Sequence, residues 1–316
     1  MSDDTRPDDG PTAGEDGSVV DGTDAVTDGG TATREVAGSS NSFVGDFWVN
    51  FVRWNIKAVR NPFVIAGSLI QPVIFLVLFT QVFGQIATGA INRGGAATGI
   101  SYETFLLPAI AMQVSLAAGA ASGIGLVNDM EEGLFEKVLV TPMSRTAVFL
   151  GKTAAEILRI VVQIVIILGM GILLGADIAT GVPGAIGIVC MGILFSLWFV
   201  AFSNIVAILT RDQESTIIGA NLLQFPLLFV STAFLPLEFL PGWIQTIATF
   251  NPVTYGVDGA RALMLGEDVM TVIEVSRFGG VWDTLIPAIV VLLALDLALG
   301  GLMVYFLNRA SSSSVQ

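Results

Sequence analysis

The chain has 316 residues, of which 53% are hydrophobic and only 13% charged, and it carries a formal net charge of −13. Histidine is absent and Cys190 is the single cysteine. These facts exclude a disulfide framework and a His proton relay, and leave no basis for a zinc site, His-based catalysis or a nucleic-acid partner.

The apolar residues fall in blocks of about 20 rather than in alternation, the signature of an integral membrane protein. Residues 1–42 come first: ten acids stand against Arg6 and Arg34, giving −8 and leaving −5 for the rest. With so little to bury, a disordered acidic tail is expected. The acidity, with three lysines against eleven arginines, suits a high-salt cytoplasm and equally a solvated tail with no role. In 43–60, Asp46, Asn50, Arg53, Lys57 and Arg60 recur at steps of four and three, so they share one helical stripe, and Phe43, Phe47, Trp48, Phe51, Val52 and Val59 fill much of the remaining circumference. An amphipathic connecting helix in the interface is predicted, ended by Asn61-Pro62.

Six blocks then qualify as spans: 63–83, 102–127, 148–174, 183–209, 216–235 and 285–307. None resembles a cleavable signal, because apolar sequence starts only after 60 residues. With the N-terminus inside, eleven basic residues lie on the inner side and only Arg93, Arg261 and Arg277 outside, which places both termini in the cytoplasm. The first span carries Gln71-Pro72, a predicted kink, and the second carries Gly119-Ala-Ala-Ser-Gly123, a surface for close helix approach.

Between the second and third spans lies a compact charged island, 128–152. Asn128 or Asp129 is expected to cap a short helix with Glu131 and Glu132 in its first turn, Gly133 to relieve the backbone, and Thr141-Pro142 to end it. Glu131, Glu132, Gly133, Phe135 and Glu136 together suggest a partner-binding element; a plain interfacial turn is the alternative. Gly151-Lys152-Thr153 has the ending of a phosphate-binding loop, but Thr146 stands where the first Gly is needed, so no nucleotide binding is expected there.

The third and fourth spans are joined outside by 175–182, and the fourth and fifth inside by 211–215. In the fifth, Asn221, Gln224, Phe225 and Phe229 combine aromatic bulk with polar groups, and with Gln113 they are candidates for a translocation path or for helix-packing contacts. In the long outer connection, Leu240-Pro-Gly-Trp243 opens a short apolar helix, and Asn251-Pro252 caps a second that Gly266 closes. Neither is long enough to span, so the pair is expected to re-enter the outer leaflet over 240–266, with Asp258 and Arg261 spaced to pair. The sixth span holds Asp296, read as the only ionisable side chain near the middle of a block. A charge there costs about 2.5–3.5 kcal/mol, so it is either a substrate or proton site or a buried group paired with Gln71, Gln113 or Asn221.

Glu131-Glu-Gly-Leu-Phe-Glu-Lys-Val-Leu-Val-Thr-Pro-Met-Ser-Arg145 with Gly151-Lys152, and Leu240-Pro-Gly-Trp with Asn251-Pro-Val-Thr-Tyr255-Gly-Val-Asp-Gly-Ala-Arg261, resemble the permease subunits of type-2 ATP-binding-cassette exporters, in the branch with daunorubicin-type drug-resistance permeases. The resemblance covers 43–309. It implies an all-α integral membrane fold with six transmembrane helices, a cytoplasmic coupling helix within 128–147, an extracellular re-entrant helical hairpin including Tyr255, and a short tail over 310–316. It also implies two copies of a separate ABC ATPase that binds ATP and Mg, a second permease copy as homodimer or close paralogue, and no cofactor on this chain. The expected function is ATP-driven export of a hydrophobic or amphipathic compound across the plasma membrane. A proton-coupled secondary transporter using Asp296 is the rival; it calls for internal repeats and clustered intramembrane acids, which the sequence lacks. An intramembrane enzyme would need facing acids or Cys pairs within the spans, and none are present.

Overall fold

The computed structural model describes residues 43–60, 62–91, 100–133, 144–273 and 277–313; the expected acidic tail lies outside them. Among these residues the fold is entirely helical. In chain order come α1 Phe43–Arg60, α2 Pro62–Ile91, α3 Tyr102–Glu131, α4 Arg145–Leu173, α5 Gly181–Thr210, α6 Gln213–Phe229, a 3₁₀ turn at Leu237–Phe239, α7 Gly242–Ala248, α8 Pro252–Leu265 and α9 Val281–Ser313. Five of them (α2, α3, α4, α5 and α9) are long and apolar enough to cross a membrane. The chain is a multi-pass membrane protein.

The fifth expected span is the exception. α6 has 17 residues, about 25 Å at 1.5 Å per residue, short of the roughly 30 Å of a bilayer core. Pro226 supplies no backbone donor, the helix closes at Phe229 after Val230 N–H bonds the Pro226 carbonyl, and 231–235 continue as bends rather than helix. At the other end Asp212 caps α6 by accepting from the Ser215 amide at 2.7 Å. Hydrogen bonding from the Ser215 side chain and backbone holds the Asp212 carboxyl below the ordinary carboxylate range. The last helix also differs, running on to Ser313 past the boundary expected at residue 309.

The core is built around α3, which packs against α2, α4, α5, α6 and α8. Leu106, Leu107, Ile110, Met112 and Leu116 are fully buried, as are Phe195 and Phe199 opposite them on α5. The Gly119 and Gly123 pair does what its spacing promised: at Gly119 a Cβ would stand 3.2 Å from the Val200 nitrogen, and at Gly123 it would run into the Ser203 carbonyl. Ser203 exploits that approach. Its hydroxyl accepts from the Gly123 amide at 3.1 Å and donates to the Ala120 carbonyl at 2.6 Å.

α1 is amphipathic as expected, and the first half of its polar stripe faces the protein while Lys57 and Arg60 at its end are exposed. Asp46 and Asn50 are 1% and 4% exposed, while Phe43, Trp48, Val49, Ile56 and Val59 are exposed. That arrangement suits an interfacial helix, because apolar groups can face lipid whereas buried polar groups need protein partners. Close docking on α4 requires Gly151, where a Cβ would lie 2.6 Å from the Phe47 carbonyl oxygen.

Candidate functional site

The α3–α4 connection is where the sequence and the structure diverge most. Asn128 and Asp129 do not cap a new helix; α3 runs unbroken through both to Glu131. Glu132 is the C-cap, its N–H bonding the Asn128 carbonyl at 3.0 Å, and Gly133 follows at φ +66. The reason is local. Glu131 and Glu132 are good helix formers that prolong α3, and only Gly133 reaches the left-handed backbone without strain. Both glutamates therefore sit at the unfavourable end of a helix dipole, exposed. Phe135, Glu136 and the expected coupling helix itself lie outside the described residues.

Both rims of this connection are held by α1. On the α3 side Arg53 Nη2 meets Asp129 Oδ2 at 3.1 Å and Lys57 Nζ meets Oδ1 at 3.4 Å, with Glu132 4.0 Å from Lys57. On the α4 side the Ser144 amide donates to Asp46 Oδ2 at 2.8 Å, while the Ser144 hydroxyl caps α4 by accepting from Ala147 N. The cations are one-third to one-half exposed, so each ion pair contributes no more than about 1 kcal/mol. Asp129→Asn is accordingly expected to lower the thermal unfolding midpoint by only about 2–4 °C. A drop beyond about 10 °C on a melting curve in detergent would contradict this modest weighting.

Lys152 and Glu156 are residues that sequence reasoning missed. Lys152 ends the charged island and Glu156 lies in the expected third span; both fall inside α4, with side chains 5% and 6% exposed and 3.1 Å apart. Lys152 Nζ also donates to the Ser122 carbonyl (3.0 Å), the Ser122 hydroxyl (2.9 Å) and Asn204 Oδ1 (3.1 Å), and it lies 5.5 Å from the Trp54 ring centre. Ser122 and Asn204 complete the set, the former 2.9 Å from Glu156 Oε2 and the latter donating to Ser122 Oγ at 2.9 Å. A Lys–Glu pair at i, i+4 followed by Arg159, all within an apolar run, was the available signal. Asp296 is thus not alone among ionisable groups within the spans. With its ammonium fully engaged, Lys152 is not free for phosphate, in keeping with the incomplete nucleotide motif.

The 240–266 segment folds as two short helices. Asn251 accepts from Val253 N at 2.9 Å and donates to the Leu227 and Val230 carbonyls at 2.6 and 2.7 Å, so one amide both opens α8 and satisfies the end of α6. Pro252 takes the first helical position and Gly266 the left-handed close. Asp258 and Arg261 do pair, at 3.2 Å, and both are buried. Asp258 further accepts from Thr232 (2.9 Å) and Thr271 (2.6 Å), while Arg261 donates to the Thr232 carbonyl at 3.0 Å and stacks 3.8 Å over the Phe105 ring. Tyr255 OH bonds the Thr249 carbonyl at 2.8 Å. The pair welds α8 to α3 and to the segment after α6. Arg261→Met should lower the unfolding midpoint far more than Asp129→Asn, since it leaves Asp258 buried without its counter-charge; equal midpoints for the two variants would show otherwise.

The path candidates divide. Asn221, Phe225 and Phe229 lie at i, i+4 and i+8 on an exposed face of α6, together with Ile218 and Leu222. Gln224 points inward, 4% exposed, and Gln113 is 1% exposed with neither side-chain polar atom hydrogen-bonded. Asp296 is not paired with Gln71, Gln113 or Asn221. α9 packs mainly on α5 and α8, and both Asp296 oxygens are buried without a hydrogen-bond partner among the described residues.

A family model described as ABC-2 type transporter matches residues 45–265. Daunorubicin resistance ABC transporter permease protein DrrB1 of Streptomyces coeruleorubidus is 29% identical over 209 residues, 65% of this chain and 70% of that one. The probable doxorubicin resistance ABC transporter permease protein DrrC of Mycobacterium tuberculosis is 25% identical over 243 residues, covering 76% and 85%. The putative transport permease ycf38 of Cyanophora paradoxa is 29% identical over 224 residues, covering 70% and 74%. The matched region contains α1, the charged rims and the capped helix pair in one continuous alignment, and the chain belongs to the ABC-2 type transporter family.

Proposed function

We propose that this chain is the permease subunit of an ATP-driven exporter, with both termini cytoplasmic and six helices crossing the plasma membrane, α6 and the segment after it making the fifth crossing. Two copies, or one copy and a close paralogue, enclose the path, and two separate ATPase subunits bind and hydrolyse ATP with Mg. The chain performs no hydrolysis and binds no cofactor. The resistance permeases among its relatives and the exposed aromatic face of α6 favour a hydrophobic or amphipathic cargo, drug or lipid-like. α7 and α8 form a re-entrant hairpin in the outer leaflet, where Trp243 and Phe250, 64% and 84% exposed, meet lipid.

The observation that carries this reading is the double attachment of the 134–143 connection. One rim ends the most buried of the five candidate spans, the other starts α4, and α1 is hydrogen-bonded to both. A push on this loop by a partner is thereby shared by α1, α3 and α4 as a unit, which is what two-state coupling of a distant ATPase requires. Glu131, Glu132 and Gly133 present the partner-facing surface together with Phe135 and Glu136.

Glu132→Lys and Gly133→Pro are expected to abolish transport in a complex reconstituted with its ATPase, while the ATPase alone keeps its turnover. Unaltered cargo-stimulated hydrolysis in both variants would sink the assignment.

A further inference from the structure

Beside the Lys152–Glu156 pair, a cavity of ≈ 300 Å³ opens between α1, α3 and α4. Its wall is amphipathic: Trp54, Ala58 and Ile124 give it an apolar side, and Lys57, Asn128, Arg159 and the Glu156 carboxylate bring polar groups to it. The charges around it do not cancel. Glu156 is matched by Lys152, and Asp129 by Arg53 and Lys57. Arg159 has no carboxylate partner among the described residues. One of its N–H groups donates to the Ala118 carbonyl at 3.0 Å, and its Nε is buried with no acceptor. An uncompensated guanidinium in a membrane span is costly, and burial of its donors adds to the cost, unless an anion supplies both charge and acceptors.

The position of the cavity identifies the kind of anion. α1 is an interfacial helix whose apolar side is exposed, and it docks at Gly151, eight residues before Arg159 on α4. At 1.5 Å per residue, Arg159 therefore sits about 12 Å further along α4. Its side chain can snorkel back through part of that depth to the level where phosphate groups of the cytoplasmic leaflet meet their acyl chains. A guanidinium holds phosphate oxygens with paired donors, and Lys57 at the outer end, half-exposed and 3.4 Å from Asp129 Oδ1, can share its ammonium between that carboxylate and a phosphate. The apolar wall beside these cations suits the glycerol and upper acyl segments of a lipid and offers nothing to a free soluble anion.

We propose that this cavity is a binding site for an anionic phospholipid of the cytoplasmic leaflet, its phosphate held by Arg159 and Lys57. The lipid would act as a resident wedge between α1 and the α3–α4 pair, distinct from exported cargo. The inference rests on the proposed orientation, which puts α1 at the cytoplasmic leaflet, and stands whether or not the coupling assignment holds.

The test uses the full-length chain purified in neutral detergent and titrated with dioleoylphosphatidylglycerol or dioleoylphosphatidylcholine, with bound lipid counted by native mass spectrometry. One phosphatidylglycerol should bind preferentially, with an advantage of about fivefold per engaged cation. Arg159→Gln should cut that preference about fivefold, and Ile124→Trp should remove it by filling the cavity with the charges untouched. Equal binding of the two lipids to the native chain would overturn the proposal, as would an undiminished preference in folded Arg159→Gln or any preference that survives in folded Ile124→Trp. Displacement of the lipid by an equal concentration of inorganic phosphate would point to a soluble anion and equally overturn it. Should Arg159→Gln fail to fold, the Ile124→Trp result decides.

Discussion

Lys152→Met is expected to destabilise the folded chain by about 3–5 kcal/mol, the range for removing one member of a buried ion pair. The substitution withdraws a charge and four polar contacts at once: Glu156, the Ser122 carbonyl and hydroxyl, and Asn204 all lose their common donor. Glu156 is then left as a carboxylate 6% exposed with only the Ser122 hydroxyl to donate to it. The companion variant Lys152→Met/Glu156→Leu removes both charges, and much of the loss should be regained, because apolar pairs of similar volume replace buried ion pairs with little penalty. Chemical unfolding in detergent micelles would measure the cycle. A double variant as unstable as the sum of its singles would mean that the two charges are not coupled.

The second large effect is expected at Gly123. A Cβ at this position meets the carbonyl of Ser203, which belongs to the α5 backbone and cannot rotate away. α3 and α5 would have to separate, and with them the Ser203 bridge between the helices. Gly123→Ala should therefore lose about 1–3 kcal/mol through overpacking, despite the gain in helix propensity of about 0.5–1 kcal/mol. Gly123→Leu should yield no monodisperse peak on size-exclusion chromatography. Gly169 is the control: it lies on an exposed face of α4, where a Cβ would find nothing within 4 Å, and Gly169→Leu should be neutral or stabilising. Similar behaviour of the two leucine variants would refute a specific α3–α5 contact.

Much of the helix plan could be read before any coordinates. Asn251-Pro252 and Gly266 are chemically committed to opening and closing a helix, because their side chain, ring and missing Cβ act on their own backbone. Likewise the i, i+3 spacing of Asp258 and Arg261 made their pairing a matter of helix geometry. The stop at Gly133 was not legible: sequence alone has Gly133 relieve the backbone of a helix begun at 128–129, whereas α3 ends there. Whether a glycine relieves the first turn of a new helix or ends the previous one depends on which side has the stronger tertiary support, and α3 is anchored at Asp129 by residues more than seventy positions away.

The sequence alone determined the class of the protein, the rough position of its apolar helices, the polar stripe of α1 and the caps of α8, because these follow from hydropathy, 3.6-residue periodicity and local backbone preference. Only the tertiary structure decided what that stripe faces, that Lys152 and Glu156 are buried partners, and that among the described residues neither Asp296 oxygen has a hydrogen-bond partner and Arg159 has no carboxylate partner. Those outcomes depend on which helices become neighbours. Packing of whole surfaces settles that question, and spacing along a single chain does not encode it.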